Sequence, residues 1–143
     1  MRKVFGFFLV IIIVASASCK KDKNNGTIPN VTVNISIALS LPEFAALNSV
    51  GNSVIIQGGY KGILVYHRFQ NDFVAFELAC PYDPLENNAV VEKDSSNVIG
   101  VDYNCGSKFY LTDGSVLQGP ASQSLKQYQT EFDGGSNSLY IYN

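Results

Sequence analysis

Short apolar stretches separated by turn-forming residues occupy most of this chain, and they constrain its fold more than any other feature. From residue 31 to residue 39 Val, Ile and Leu alternate with polar or small residues, the period of a half-buried β-strand. Similar stretches, bounded by Gly, Asn, Asp or Pro, lie at residues 54–57, 62–69, 73–78, 98–103, 108–112, 115–117, 125–132 and 139–142. Residues 42–47 suggest a single helical turn. The pattern predicts an all-β antiparallel sandwich or small barrel.

The length and charge of the chain exclude several functional classes. A chain of 143 residues can form one domain with its own core. A formal net charge of −2 leaves no basic surplus to neutralise phosphates, so we expect no nucleic-acid partner. The single histidine, His67, lies on a predicted strand, and we interpret it as a packing or surface residue. No Ser or Cys forms a recognisable triad with it, so a hydrolase is not predicted.

The first eighteen residues are typical of an export signal. Arg2 and Lys3 precede an apolar run at residues 4–14, and small residues follow at 15–18. The apolar run is shorter than the roughly 20 residues that a membrane-spanning helix needs. We therefore predict that the chain is exported and that residues 1–18 are removed.

Cys19 follows the small residues directly, which resembles a bacterial lipoprotein signal, in which the cysteine is lipidated and becomes N-terminal. Ser16 stands where that family usually has Leu. The alternative is ordinary cleavage after Ala17, which would leave Cys19 as a free thiol. Lipidation predicts attachment to a membrane of the cell envelope, and Lys20, in place of an inner-membrane retention Asp, favours the outer membrane. The predicted organisation is a signal peptide, a flexible tether at 19–29 and a β domain at 30–143.

Two cysteine-bearing segments carry a resemblance to a known family. Residues 80–84 read Cys-Pro-Tyr-Asp-Pro, and residues 102–109 read Asp-Tyr-Asn-Cys-Gly-Ser-Lys-Phe. With Gly-Pro-Ala at 119–121, their order and spacing resemble the Rieske-type domain, in which two loops hold a [2Fe–2S] cluster under a proline loop. The resemblance covers about residues 52–142. It implies a Rieske-like small antiparallel β-sandwich or barrel with the two cysteine-bearing loops at one end.

The family's ligand positions are altered in this chain. Rieske domains bind the cluster through Cys-x-His in the first loop and Cys-x-x-His in the second. The resemblance places Cys80 and Tyr82 at the first pair of positions, and Asp102 and Cys105 at the second pair. Three of the four ligands are thus replaced, and His67 lies thirteen residues before Cys80, where the family has no ligand. A Cys2His2 cluster is not expected, and we predict no cofactor.

Three alternatives for the cysteine loops stay open. The resemblance brings Cys80 and Cys105 together, and in an oxidising compartment they could form a disulfide. Cys80, Asp102 and Cys105, with Asp83 or Tyr82, could instead hold one metal ion, while an atypical [2Fe–2S] cluster is the remaining possibility.

The sequence therefore predicts a lipid-anchored envelope protein that acts as a binding or structural module. The alternative is an electron-transfer protein or oxidoreductase subunit with atypical ligands, and a stand-alone enzyme is not expected. Tyr82 and Tyr103 could form an apolar contact patch for an envelope partner at the loop tip. Four acidic residues between the cysteine loops are interpreted as solvated: Asp83, Glu86, Glu92 and Asp94.

Overall fold

A computed structural model of the chain describes residues 26–143. The predicted signal peptide, Cys19 and the first part of the tether lie outside the described residues. No helix within residues 26–143 is long and apolar enough to cross a membrane.

Ten short strands and one 3-10 helix, Pro42–Asn48, make up the regular structure of the described residues. In chain order the strands are β1 (Asn34–Ala38), β2 (Ser53–Ile56), β3 (Ile63–Phe69), β4 (Asp72–Glu77), β5 (Val91–Lys93), β6 (Ile99–Asp102), β7 (Lys108–Tyr110), β8 (Val116–Gln118), β9 (Gln127–Asp133) and β10 (Ser138–Tyr142). The prediction of an all-β chain is confirmed. β5 was not predicted, because two of its three residues are charged and exposed, so it has no apolar alternation.

The strands form two antiparallel sheets. The larger has the order β1-β10-β9-β4-β3-β2, and the smaller has the order β5-β6-β7-β8. β1 pairs with β10, so the predicted strand near residue 35 and the last strand of the chain lie side by side. Consecutive strands of the smaller sheet are hairpin neighbours, which places the turn between β6 and β7 at one end of that sheet.

β3 and β4 are buried on both faces, and they separate two hydrophobic cores. Side chains alternate along these strands. The first core receives Ile63, Val65, Phe73 and Ala75. The second core, between these strands and the smaller sheet, receives Leu64, Tyr66, Val74 and Phe76. Because the second core extends to Cys80, it supports the end of the domain at which the cysteine loops meet.

Candidate site between the two cysteine loops

The first cysteine loop, residues 80–89, begins where β4 leaves the larger sheet. Ala79 pairs with Val90, and the amide of Cys80 donates to the carbonyl of Ala89 at 3.2 Å, so the two ends of the loop are held together. The ammonium of Lys61 donates to the carbonyls of Glu86 and Ala89. This contact fixes the loop from the side of the β2–β3 turn.

The second cysteine loop, residues 102–107, is the tight turn between β6 and β7. The amide of Asp102 donates to the carbonyl of Ser107 at 2.9 Å, and the amide of Gly106 donates to the carbonyl of Asp102 at 2.8 Å. Gly106 has a φ of 82°, which L-residues with a Cβ rarely adopt. The glycine therefore allows the turn that directs Cys105 toward the first loop.

A third segment, the proline loop at residues 119–121, joins the second cysteine loop. The amide of Ala121 donates to the Ser107 hydroxyl at 2.9 Å. Both residues are buried, so this hydrogen bond is shielded from water. The three segments that carried the family resemblance thus meet at one end of the domain.

Four side chains from the two cysteine loops converge into a single group, the Cys–Asp cluster: Cys80, Asp83, Asp102 and Cys105. One ligand atom from each residue lies within 4.8 Å of every other. The two sulfur atoms are 3.7 Å apart, and Cys105 Sγ lies 3.1 Å from Asp102 Oδ2. As the alternative to a site without metal, the sequence predicted Cys80, Asp102 and Cys105 as ligands, with Asp83 or Tyr82 as a fourth, and the structure brings Asp83 together with these three.

Burial dominates the electrostatics of the Cys–Asp cluster. Asp83 is 4% exposed, so the interpretation of this residue as solvated is wrong, and Asp102 is fully buried. Burial, with a contribution from the negative charge of Asp102, raises the pKa of Asp83. Burial also raises the pKa of the Cys80 thiol, reinforced by its hydrogen bond with Asp102, and burial raises the pKa of Cys105. The cluster therefore disfavours several negative charges unless a cation accompanies them.

Asn104 organises both carboxylates, a role the sequence did not reveal. Its side-chain amide donates to Asp83 Oδ2 at 2.7 Å, and its backbone amide donates to Asp102 Oδ1 at 2.8 Å. The second contact is a local Asx turn, in which an aspartate side chain accepts a hydrogen bond from the backbone amide two residues later. Such a turn is visible in the sequence as an Asp followed two residues later by an Asn. The first joins residues 21 positions apart and depends on the tertiary structure.

Cys80 and Cys105 are free thiols in this structure. Their sulfur atoms are 3.7 Å apart, whereas a disulfide bond measures about 2.05 Å. The predicted proximity of the two cysteines is confirmed, and the disulfide itself stays a prediction.

The remaining residues of interest lie around the Cys–Asp cluster or away from it. Tyr82 is partly buried against the second core, whereas Tyr103 is 70% exposed, so the two do not form a common exposed patch. His67 lies in β3, where its ring stacks on Phe73 at 4.3 Å between centroids. Its packing agrees with the structural role predicted for it.

Glu77, at the end of β4, is a buried charged residue that sequence reasoning missed. Its carboxylate accepts hydrogen bonds from the amides of Tyr60, Lys61 and Ala79 and from the hydroxyl of Tyr128, at 2.7 to 3.1 Å. Glu77 therefore joins the β2–β3 turn to the start of the first cysteine loop.

No protein-family model matches the sequence, and no curated protein matches it. Solved structures do match. The cyanobacterial plasma membrane Rieske protein PetC3 from Synechocystis PCC 6803 has a TM-score of 0.57 at 23% identity, covering 78% of this chain and 100% of that one. The ferredoxin of carbazole 1,9a-dioxygenase from Nocardioides aromaticivorans IC177 has a TM-score of 0.49 at 12% identity, covering 79% and 98%. The likeness to the first structure establishes that this chain has a Rieske-like fold.

The residues at this site do not fit a Rieske cluster. That cluster takes two thiolates and two imidazoles. The chain has one histidine, His67, which packs on Phe73 in β3 and is not a member of the Cys–Asp cluster. The donor atoms that converge here are two sulfurs and two carboxylates.

Proposed function

We propose that this protein is a lipid-anchored protein of the bacterial cell envelope whose Rieske-like domain carries no [2Fe–2S] cluster and acts as a binding or structural module. One observation carries the proposal. The loops that meet at the end of the domain present two thiols and two carboxyl groups, with no imidazole among them. A Rieske-like fold without Rieske ligands has no means of performing Rieske electron transfer, because function belongs to the site and not to the fold.

The position of the tether supports a role near a membrane. Gly26, at the start of the described residues, lies beside Leu85 of the first cysteine loop, 3.1 Å from where a Cβ on Gly26 would stand. Six residues lie between Cys19 and Gly26, and the seven residue-to-residue steps of this segment can span at most about 25 Å. A lipid on Cys19 would thus keep this end of the domain close to the membrane surface.

Exposed apolar side chains at the same end support a binding role. Leu85 is 60% exposed and Tyr103 is 70% exposed, one on each cysteine loop. Such side chains near a membrane are available for contact with an envelope protein partner. The alternative function, electron transfer with atypical ligands, requires an iron–sulfur centre between the same loops.

Iron and sulfide analysis tests the cluster-free site. The full chain, exported with its own signal and purified in detergent, should be colourless, with far less than one iron and no acid-labile sulfide per chain. Two irons and two sulfides per chain, with visible absorption bands, would refute the proposal and establish the electron-transfer alternative.

Replacement of the lipidation cysteine tests the anchor. Cys19→Ser should move the exported protein from the membrane fraction to the soluble fraction, because the hydroxyl cannot form the thioether to lipid. Cys105→Ser provides the matched control, since it makes the same change inside the folded domain and should leave the protein membrane-bound. Equal membrane association of wild type and Cys19→Ser would contradict the anchor.

A further inference from the structure

We propose that the Cys–Asp cluster binds one Zn²⁺ ion through Cys80, Asp83, Asp102 and Cys105, and that this ion cross-links the two cysteine loops. The inference rests on the proposed function, since a zinc ion and a [2Fe–2S] cluster would compete for the same space. The site is closed by four protein ligands, which is typical of structural zinc and leaves no position for a catalytic water.

Two donor–donor distances in the Cys–Asp cluster can be compared with those around a single tetrahedral ion, and every other pair of donors lies within 4.8 Å. With zinc–sulfur bonds of about 2.3 Å, the two sulfurs at neighbouring corners of a tetrahedron stand about 3.8 Å apart. The observed separation of Cys80 Sγ and Cys105 Sγ is 3.7 Å. Sulfur and carboxylate oxygen should stand about 3.5 Å apart in the same geometry. Cys105 Sγ and Asp102 Oδ2 are 3.1 Å apart, so that edge needs to lengthen by only a few tenths of an ångström.

The environment of one carboxylate oxygen favours a metal ligand role for Asp83. Asp83 is 4% exposed, and its Oδ1 is buried without a hydrogen-bond partner among residues 26–143. Within residues 26–143 one ion pair forms, between Arg68 and Asp72. Neither Asp83 nor Asp102 is therefore paired with a basic side chain of this part of the chain. A buried carboxylate oxygen without a donor is costly, and a metal–oxygen bond would satisfy it.

The surroundings hold the four donors in place. Asn104 donates to one oxygen of Asp83 and leaves the other oxygen free, while its backbone amide donates to Asp102. Cys105 Sγ lies 3.0 Å from the Ser107 hydroxyl, which also accepts from Ala121. Such outer contacts orient ligands at natural metal sites and affect metal affinity by about 10- to 100-fold.

The mixture of sulfur and oxygen donors favours zinc over magnesium, calcium and copper(I). Magnesium and calcium prefer oxygen donors throughout, and copper(I) prefers sulfur throughout. Zinc accepts both cysteine sulfur and aspartate oxygen. On binding, Cys80 and Cys105 each lose a proton to the solvent, so two thiolates and two carboxylates surround the Zn²⁺ ion and no electron is transferred.

Metal analysis of the exported full chain provides the first test. We expect one zinc per chain, and after removal of zinc by a chelator we expect a lower melting temperature that added Zn²⁺ restores. Asp83→Asn keeps the shape of the side chain, yet it should weaken zinc binding by more than about 100-fold in competition with a chromophoric chelator, since even the partners of a metal ligand contribute about 10- to 100-fold. Glu92→Gln, the same type of change on an exposed residue of β5, should bind zinc as the wild type does.

Cobalt substitution provides a test that needs no variant. Co²⁺ added to the zinc-free full chain should give the intense visible bands of a tetrahedral ion together with thiolate charge-transfer absorption. Weak, octahedral-type bands would overturn the proposal.

The remaining outcomes separate this inference from the proposed function. Metal-free protein with a Cys80–Cys105 disulfide, or with two freely reactive thiols and no zinc affinity, would overturn the zinc site and leave the proposed function intact. One iron without sulfide would also overturn the choice of zinc. Two irons with two sulfides would overturn both.

Discussion

Glu77 illustrates how one residue can fix the geometry of the candidate site without belonging to it. Its carboxylate is fully buried and accepts four hydrogen bonds, three of them from backbone amides. A buried carboxylate is tolerated when its oxygens are fully bonded in this way. Because the amide of Ala79 is one of the donors, the same carboxylate fixes the backbone next to Cys80.

Tyr128→Phe tests this network at a single hydrogen bond. The Tyr128 hydroxyl donates to Glu77 Oε2 at 2.7 Å and is buried, so its removal should lower the free energy of unfolding at neutral pH by about 1–2 kcal/mol. Tyr140→Phe removes the hydroxyl of a partly exposed tyrosine on β10 and should change stability by less than about 0.5 kcal/mol. Urea unfolding measures both variants, and equal midpoints for the two would contradict the role of the bond.

The burial of Tyr128 also predicts how the free energy of unfolding depends on pH in the alkaline range. Burial, followed by the hydrogen bond to the Glu77 carboxylate, raises the pKa of Tyr128 in the folded state. A raised pKa stabilises the fold below the unfolded-state pKa, which is about 10, and this contribution is lost as the pH rises above it. Wild-type stability should therefore fall more steeply above pH 10 than that of Tyr128→Phe. Parallel stability curves for the two proteins would show that the buried hydroxyl has no such effect.

At the scale of elements, the first cysteine loop depends on a contact from a different turn. The Lys61 ammonium donates to the carbonyls of Glu86 and Ala89. It is the side chain that connects these two loop carbonyls to the β2–β3 turn. Lys61 itself follows the Gly58-Gly59 turn, where both glycines have positive φ. The turn before β3 therefore helps to position the loop after β4.

Lys61→Met should loosen this loop while leaving the sheets intact. Loss of the two hydrogen bonds should cost about 1 kcal/mol locally, which corresponds to roughly fivefold faster hydrogen exchange at the amides of Cys80 and Ala89. Lys93→Met removes an exposed lysine of β5 that bonds to Asn97, and it should leave exchange at Cys80 unchanged. If both variants exchange at the wild-type rate, Lys61 does not restrain the loop.

At the scale of the whole molecule, β3 and β4 join the two cores into one unit. Both strands contribute alternate side chains to the first core and to the second. The larger sheet cannot lose these two strands without exposing apolar surface of both cores. We therefore expect the domain to unfold in a single transition.

Phe76→Ala tests this coupling from the second core. Phe76 is fully buried, so its truncation should destabilise the domain by about 3–5 kcal/mol, whereas Phe69→Ala, at a site 63% exposed, should cost less than about 1 kcal/mol. In Phe76→Ala, NMR signals from β10 and from β7 should disappear at the same urea concentration. Survival of the β10 signals after those of β7 are lost would show that the two sheets unfold separately.

Strand positions were predictable because strand patterning is local. Residues 31–39 alternate in burial as their sequence alternates, β3 lies within its predicted stretch, and β4, β9 and β10 each extend one residue beyond theirs. β5 was not predicted because its own residues show no strand pattern. It is a strand because it pairs with β6. Glu77 escaped for a related reason: a single acidic residue next to a buried apolar run gives no sign of the four donors that surround it.

The sequence by itself determined the all-β class, the places where the strands form and the two cysteine-bearing segments, since each follows from neighbouring residues and their period of two. The convergence of Asp83 with Asp102 and the two cysteines was decided only by the tertiary structure. Cys80 and Cys105 are 25 residues apart, and Asn104 reaches Asp83 across 21 residues. Contacts at such separations depend on how two loops are set against a shared core, which no local pattern encodes.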